Sequence, residues 1–304
     1  MTKLFSLLTS SLILFFITPK SYGAACCGGG FSVPSIISGD DQYQLATSYA
    51  YSKIDADVNN SGVWEKRSYD DHSKILKIDM ASVYKDRFQF SLSIPIQQRN
   101  ISGPQGGQST GLGDIGLLSG YEYLPDWDYS PWRPKGIGFI TLSLPTGKSL
   151  YDDNNFNGLN SRGRGYWSIG IGSLFTKTFR KWDAFFNMEL HNSLSKNVAN
   201  SQFQGTVKPG IGYSFNFGIG YNWKKFRLGH SILWQYEDPI SFSGSINSNG
   251  AEQQVATGTI AIAYLVTDNL SSSLSYSDQS WYGQPTNTGL NKSWLIALQK
   301  RWPR

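Results

Sequence analysis

The sequence predicts an all-β fold, a transmembrane antiparallel up-and-down β-barrel of about 12 strands with short periplasmic turns and long extracellular loops. Three observations predict it. Large apolar and small polar residues alternate with period two in segment after segment. The links between those segments alternate between short and long. The N-terminus carries the marks of an export signal.

The export signal comes first. Lys3 supplies a short positive stretch, and residues 4–17 are mostly apolar. Pro19 breaks any helix, and Ser21-Tyr22-Gly23 offers small residues for cleavage. Residues 1–23 are therefore expected to be a cleaved signal peptide. The mature chain is expected to begin with a periplasmic or lumenal lead over 24–42, followed by a barrel over 43–304. Losing Lys3 and Lys20 with no acid lowers the formal net charge from +5 to +3. That weak charge and the absence of a Lys/Arg run argue against a nucleic-acid partner.

No later stretch approaches the ~20 apolar residues of a membrane helix. Aromatic residues nevertheless make up 14% of the chain, glycines number 32, and only 16% of residues are charged. A soluble sandwich also alternates, but its outer faces carry more charge. Lipid outside and water inside explain both faces of the pattern. Cys26 and Cys27 are adjacent, so they cannot staple distant segments. Gly23-Ala24-Ala25-Cys26 weakly matches a lipidation signal that lacks its usual leucine. No metal-ligand spacing is present, because His72, His191 and His230 lie far from both cysteines.

The plainest strand is 211–223, with Ile211, Tyr213, Phe215, Phe217, Ile219, Tyr221 and Trp223 on one face and Gly, Ser and Asn on the other. The rows continue with Phe226, Leu228, Ile232 and Trp234, with Phe88, Phe90, Leu92 and Ile94, with Trp182, Phe186 and Met188, and with Trp294, Ile296 and Leu298. The expected strands are 43–54, 74–84, 87–98, 113–124, 135–145, 165–178, 182–193, 207–223, 226–237, 254–265, 270–280 and 293–302. Short links at 85–86, 179–181, 224–225 and 266–269 mark periplasmic turns. Long polar loops such as 55–73, 146–164 and 238–253 mark the outer side. One periplasmic link, 125–134, carries Trp127, Tyr129 and Trp132, residue types that favour the lipid–water boundary.

Parity then selects lumen-lining candidates: Lys77, Asp79, Asp114, Glu122, Asp183, Glu189, His191, Arg227, Glu237 and Arg301. Charges of both signs can form a salt-bridged plug, line a polar path, or simply satisfy the interior. No phosphate loop, dinucleotide fingerprint, zinc-helix motif or nucleophile elbow occurs. His191-Asn192-Ser193 has the His-x-Ser spacing of outer-membrane lipid hydrolases. Its small flanking residues are missing, and parity turns His191 toward the lumen, so a hydrogen-bonded lumen histidine is the better reading. No cofactor is expected. The expected partners are the outer-membrane bilayer, the barrel-assembly machinery and small-molecule solutes.

Gly111-Leu112-Gly113-Asp114 opens the fourth strand, Leu144-Pro145-Thr146-Gly147 closes the fifth, and residues 163–177 run Gly-Arg-Gly-Tyr-Trp-Ser-Ile-Gly-Ile-Gly into the sixth. In this order the motifs resemble the outer-membrane family named for the MetA pathway of phenol degradation. The resemblance spans most of the barrel. It departs in carrying Gly163-Arg164-Gly165 where Gly-Thr-Gly is usual, and in ending Trp302-Pro303-Arg304. It implies a channel or transporter for small molecules, hydrophobic or aromatic ones among them; a lipid hydrolase using His191 and Ser193 or a structural barrel with a plugged lumen are the alternatives.

Overall fold

The computed structural model describes residues 34–103, 106–127, 130–152, 158–200, 203–245 and 247–304. The expected signal peptide, residues 24–33 of the lead, Cys26, Cys27 and Tyr129 lie outside the described residues. Twelve strands form the wall: β1 Asp41–Val58, β2 Asp71–Tyr84, β3 Phe88–Ile101, β4 Ile115–Leu124, β5 Lys135–Leu144, β6 Ser168–Phe179, β7 Trp182–Ser193, β8 Ile211–Trp223, β9 Phe226–Glu237, β10 Gln253–Thr267, β11 Leu270–Asp278 and β12 Thr288–Pro303. Each pairs antiparallel with its sequence neighbours, and β12 returns to pair with β1 from Asp41↔Pro303 to Val58↔Thr288. The sheet therefore closes and leaves no free edge along its wall.

The short links turn as their length requires. Lys85 and Asp86 both take left-handed backbone, with φ of 49° and 61°. Arg180 and Lys224 do so at the next two such turns, with φ of 55° and 53°. This conformation matches the twist of the strands it joins.

Burial along β8 alternates without a break until Tyr221. Its large side chains point outward, as do Ile171, Leu190, Leu228, Ile260, Ile296 and Leu298 on other strands. From Tyr213 to Trp223 is about 34 Å along the strand, or about 26 Å of membrane depth at a usual tilt of ~40°. Aromatic contacts mark both ends: Tyr213 stacks on Tyr236 at 4.8 Å, while Trp182 meets Tyr221 at 4.9 Å and Phe226 meets Tyr264 at 4.9 Å. Polar groups on this face are satisfied locally. Tyr123 Oη lies 2.8 Å from Ser173 Oγ, and Tyr282 Oη lies 3.0 Å from His230 Nε2.

Three elements differ from the sequence expectation. The fourth strand is interrupted: Gly107–Leu112 pairs with the outer half of β3, and β4 starts again at Ile115. The eighth strand does not begin at 207. Pro209 cannot donate to a ladder, and before it Gln204–Lys208 joins a separate sheet with Lys196–Ala199, Ser241–Gly244 and Ser248–Asn249. This outer sheet covers its own small core of Tyr166, Val198, Phe203 and Val207, packed by Tyr151, Ile240 and Phe242. The sixth strand begins at Ser168 rather than 165, because Gly165 takes a left-handed φ of 67°. In the 125–134 link, Trp127 receives Arg87 over its ring at 4.4 Å, and Trp132 stands 91% exposed.

An arginine placed on the lipid belt tests this assignment. Ile219→Arg, near mid-depth, is expected to cost about 2–4 kcal/mol, and Val266→Arg beside a periplasmic turn about 1 kcal/mol or less. Urea unfolding in lipid vesicles, followed by tryptophan fluorescence, measures both. Equal costs at the two positions contradict the belt.

Candidate functional site: the barrel interior and its outer mouth

The interior face of the wall carries charge, and most of it is paired. Lys77 Nζ lies 3.2 Å from Asp79 Oδ1, and both side chains are buried. Lys135 Nζ lies 2.8 Å from Glu122 Oε2. Arg227 grips Asp183 with two hydrogen bonds, Nη2 to Oδ1 at 2.6 Å and Nε to Oδ2 at 2.9 Å. Asn222 Nδ2 donates to the same carboxylate at 2.7 Å. The Arg227 guanidinium lies across Gly220, where a Cβ would come within 2.3 Å of Nη2. Arg301 Nη1 sits 3.6 Å from Asp41 at the periplasmic end. Glu237 pairs with Arg164, and its carboxylate lies 3.1 Å from His191 Nε2. Glu189 differs: Thr141 donates to it at 2.6 Å, and no cation among the described residues lies within ion-pair distance.

Asp114 does not join this set. It sits in the break before β4 and acts on the loops. Its Oδ1 accepts from Gly147 N at 3.0 Å and its Oδ2 from Gly165 N at 3.0 Å. Thr146 Oγ1 donates to Gly113 O at 2.6 Å and accepts from Ile115 N at 3.0 Å. The three glycine-rich motifs of the sequence thus meet at one carboxylate. Close approach explains Gly111 and Gly113 better than backbone freedom does. A Cβ at Gly111 would lie 2.6 Å from Arg162 Nε, and one at Gly113 would lie 2.8 Å from Arg162 O.

Sequence reasoning missed a second network at the outer mouth. Asp71, 1% exposed, receives Arg99 Nη2 at 2.6 Å and Arg99 Nε at 3.0 Å, and it also pairs with Arg67. Arg67 continues to Asp57 at 2.6 Å, and Arg99 Nη1 donates to Gly158 O at 2.6 Å. Arg67 lies in a loop whose parity cannot be read, and Arg99 falls just beyond the expected end of its strand. The one usable signal was that Arg99 continues the inward row of Gln89, Ser91, Ser93 and Gln97.

The interior is not uniformly polar, contrary to the alternation read from the sequence. Leu118, Ile137 and Phe139 point inward from β4 and β5 and form a buried cluster with Ile36, packed by Leu174. Across the barrel, Ser48, Ala50, Ser52, Ser273, Ser275 and Ala297 supply a wall of mostly small side chains, with Leu295 among them. Ile36 belongs to the lead, which turns back into the barrel before β1. Ile37 N donates to Gln89 Oε1 at 2.9 Å, and Gln89 Nε2 donates to Ile37 O at 2.7 Å. Ser91 Oγ donates to Ser35 O, and Pro34 lies against Gly116. The lead therefore climbs the inner wall from the periplasmic end.

His191 and Ser193 share the inward face, but no hydrogen bond joins them among the described residues. His191 Nε2 instead lies 2.7 Å from Arg164 Nη1 and 3.2 Å from Glu237 Oε2. That arrangement leaves the ring without a nucleophile to activate.

Outside the membrane, burial pushes the Asp152 carboxyl up, but hydrogen bonds from Lys196 and Ser149 outweigh it and hold it below the ordinary range. Burial pushes the Tyr166 phenol up.

The fold class follows from these features: a closed twelve-stranded barrel with an apolar belt and a charged, paired interior is an outer-membrane protein. No protein-family model matches the chain, and no curated protein matches it. Solved structures do. The chain is similar to the COG4313 outer membrane channel from Pseudomonas putida F1, with a TM-score of 0.73 and 13% identity over 90% of this chain and 99% of that one. It is also similar to the transport unit of the autotransporter AIDA-I from Escherichia coli, with a TM-score of 0.50 and 9% identity over 90% of this chain and 94% of that one. At these identities the likeness is one of fold.

Three variants test the interior and the mouth. Asp183→Ala is expected to cost about 3–5 kcal/mol, while the double change Asp183→Leu with Arg227→Met restores most of that loss in the same unfolding assay. Asp114→Ala leaves two backbone donors unpaired, so the 145–165 loop should be cut several-fold faster by protease added outside liposomes. Acid should have a related effect on the tie between Asp152 and Lys196. A lowered folded-state pKa contributes stability above the ordinary carboxylate value of 3.8 that is lost as pH falls through the folded value. Protection of the outer-sheet amides, with the intrinsic pH dependence of exchange divided out, should therefore fall as pH drops below about 4 and stay flat above about 5.

Proposed function

We propose that this chain is an outer-membrane channel through which small solutes cross by passive movement along the barrel interior. The observation that carries the reading is the uneven interior. A barrel built only as a plug gains from filling its lumen with large side chains. Here one wall is mostly Ser and Ala, with Leu295 among them, and the inward charges are held back by partners within the wall. Lys77, Asp79, Glu122, Asp183, Glu189, His191, Arg227, Glu237 and Arg301 line the path in this reading, and Asp114 sets the loop at its entrance. The cluster around Phe139 favours solutes that are partly hydrophobic or aromatic.

Residues 1–23 act as the export signal and 24–42 as the lead, and the chain reaches its membrane through the barrel-assembly machinery. The lead acts as an inner gate. Ile36 and Ile37 narrow the periplasmic end, and Gln89 holds the gate through two backbone hydrogen bonds.

Single-channel recording of the refolded protein in a planar bilayer tests both statements. Stable conductance steps are expected, and deletion of residues 24–39 or Gln89→Ala should enlarge them. A correctly folded barrel that stays silent with and without the lead overturns the channel reading.

A further inference from the structure

We infer that two neighbouring periplasmic turns, carrying Arg180-Lys181 and Lys224-Lys225, form a docking surface for the headgroup phosphate of an anionic glycerophospholipid from the inner leaflet of the outer membrane. The inference does not depend on the channel reading.

The sequence scatters this charge and the fold gathers it. The two pairs lie more than forty residues apart, so no basic run shows along the chain. β7 pairs with β8 down to Trp182↔Tyr221, which sets the turns side by side. Two strand spacings place them about 10 Å apart. Lys181 O accepts from Asn222 N at 2.7 Å and from Asn222 Nδ2 at 3.2 Å, and Lys225 O accepts from Leu265 N at 2.8 Å. Each turn is thus tied to the strand beside it. The three short links on this arc, 179–181, 224–225 and 266–269, carry four cations and one acid, Asp268. The acid next to the first turn, Asp183, points inward and is buried against Arg227 and Asn222. No carboxylate among the described residues forms an ion pair with Lys181, Lys224 or Lys225. Elsewhere on the same rim cations do find acids: Lys177 lies 3.6 Å from Asp126, and Arg304 lies 3.5 Å from Asp86.

Depth selects a lipid over a soluble partner. Lys224 directly follows Trp223, the last belt residue of β8, and Arg180 directly follows Phe179 at the end of β6. Polar headgroups occupy about 5–7 Å beyond each face of the hydrocarbon slab. The cations lean back into that layer. The Lys224 ammonium stands 5.5 Å from the centre of the Trp223 ring, and the Arg180 guanidinium carbon stands 5.4 Å from that of Phe179. A phosphate diester at this depth meets the cations while its acyl chains run along Ile219 and Leu228, both exposed on the belt. A zwitterionic lipid brings an ammonium of its own to the same place, where like charge repels it. A headgroup with net negative charge is therefore preferred.

Native mass spectrometry of the full-length protein, folded in detergent, counts the lipids it retains. The probes are dioleoyl phosphatidylglycerol and dioleoyl phosphatidylethanolamine at equal concentration, and glycerol 3-phosphate as a headgroup without chains. Phosphatidylglycerol is expected to be retained several-fold better than phosphatidylethanolamine. The triple variant Lys181→Gln, Lys224→Asn, Lys225→Gln should weaken its retention roughly tenfold or more and leave phosphatidylethanolamine unchanged. Asn suits position 224, where the backbone is left-handed with φ of 53°. Arg at the same three positions should keep the preference, which separates lost charge from a damaged turn. Lys85→Gln with Arg87→Gln removes charge from another turn of the rim and should leave retention unchanged. Equal retention of the two lipids overturns the surface, and so does an equal loss in the Lys85 and Arg87 variant, which makes the attraction diffuse. Full displacement by equimolar glycerol 3-phosphate makes it a phosphate site without a lipid and overturns it too. Co-sedimentation with peptidoglycan sacculi that the triple variant abolishes, without any lipid preference, makes the turns a cell-wall contact and overturns the lipid.

Discussion

A lipid bilayer offers no water to a peptide bond, and that one constraint organises this molecule. Every N–H and C=O in the slab needs a partner within the wall, so the twelfth strand must return to the first. Closure then fixes the rest. It makes an inside and an outside, assigns alternate residues to each, and sets the short reversals on one rim apart from the long excursions on the other. The aromatic pairs at the two ends of β8 and β9 sit where the slab ends.

Inside, the same low polarity governs charge. Asp183 and Arg227 meet within the wall, as do Glu122 and Lys135, because an unmatched charge at that depth is costly. Glycine makes these arrangements possible by absence. Gly220 lets a guanidinium lie flat, Gly172 lets a phenyl ring cross a strand, and Gly111 admits Arg162. The large glycine content is thus spent on contact between neighbours rather than on unusual backbone at most of these positions.

Much of the wall was legible. Strands such as 182–193 and 226–237 end where the sequence pattern ends, because lipid on one face and polar groups on the other leave a strong period-two signal. What escaped had weaker local causes. The break before Ile115 depends on Asp114 reaching amides more than thirty residues away. Val207 alternates like a wall residue but is buried in a sheet whose other strands lie in distant loops. Ile137 and Phe139 point inward despite their bulk, because Gly136 and Gly138 occupy the outward positions of β5. The inward charges were legible as a set, but their partners were not, since Lys135 and Arg164 come from other strands or loops.

The two ends of the wall meet. Arg304 N donates to Asp40 O, beside the Asp41↔Pro303 pair, at the foot of the lead. The seam joins residues roughly 260 apart, for which loop closure alone costs on the order of 5 kcal/mol. Every other strand pairing in the wall joins strands that follow one another and can form as a growing ribbon. The seam therefore has the character of a latch set last. While it stands open, β1 and β12 each present an unpaired edge, and Pro34–Gly39 can swing in over β3 without threading through a finished ring. Assembly history, rather than final stability, is what lets a segment of the chain lie inside the cylinder that the rest of it makes.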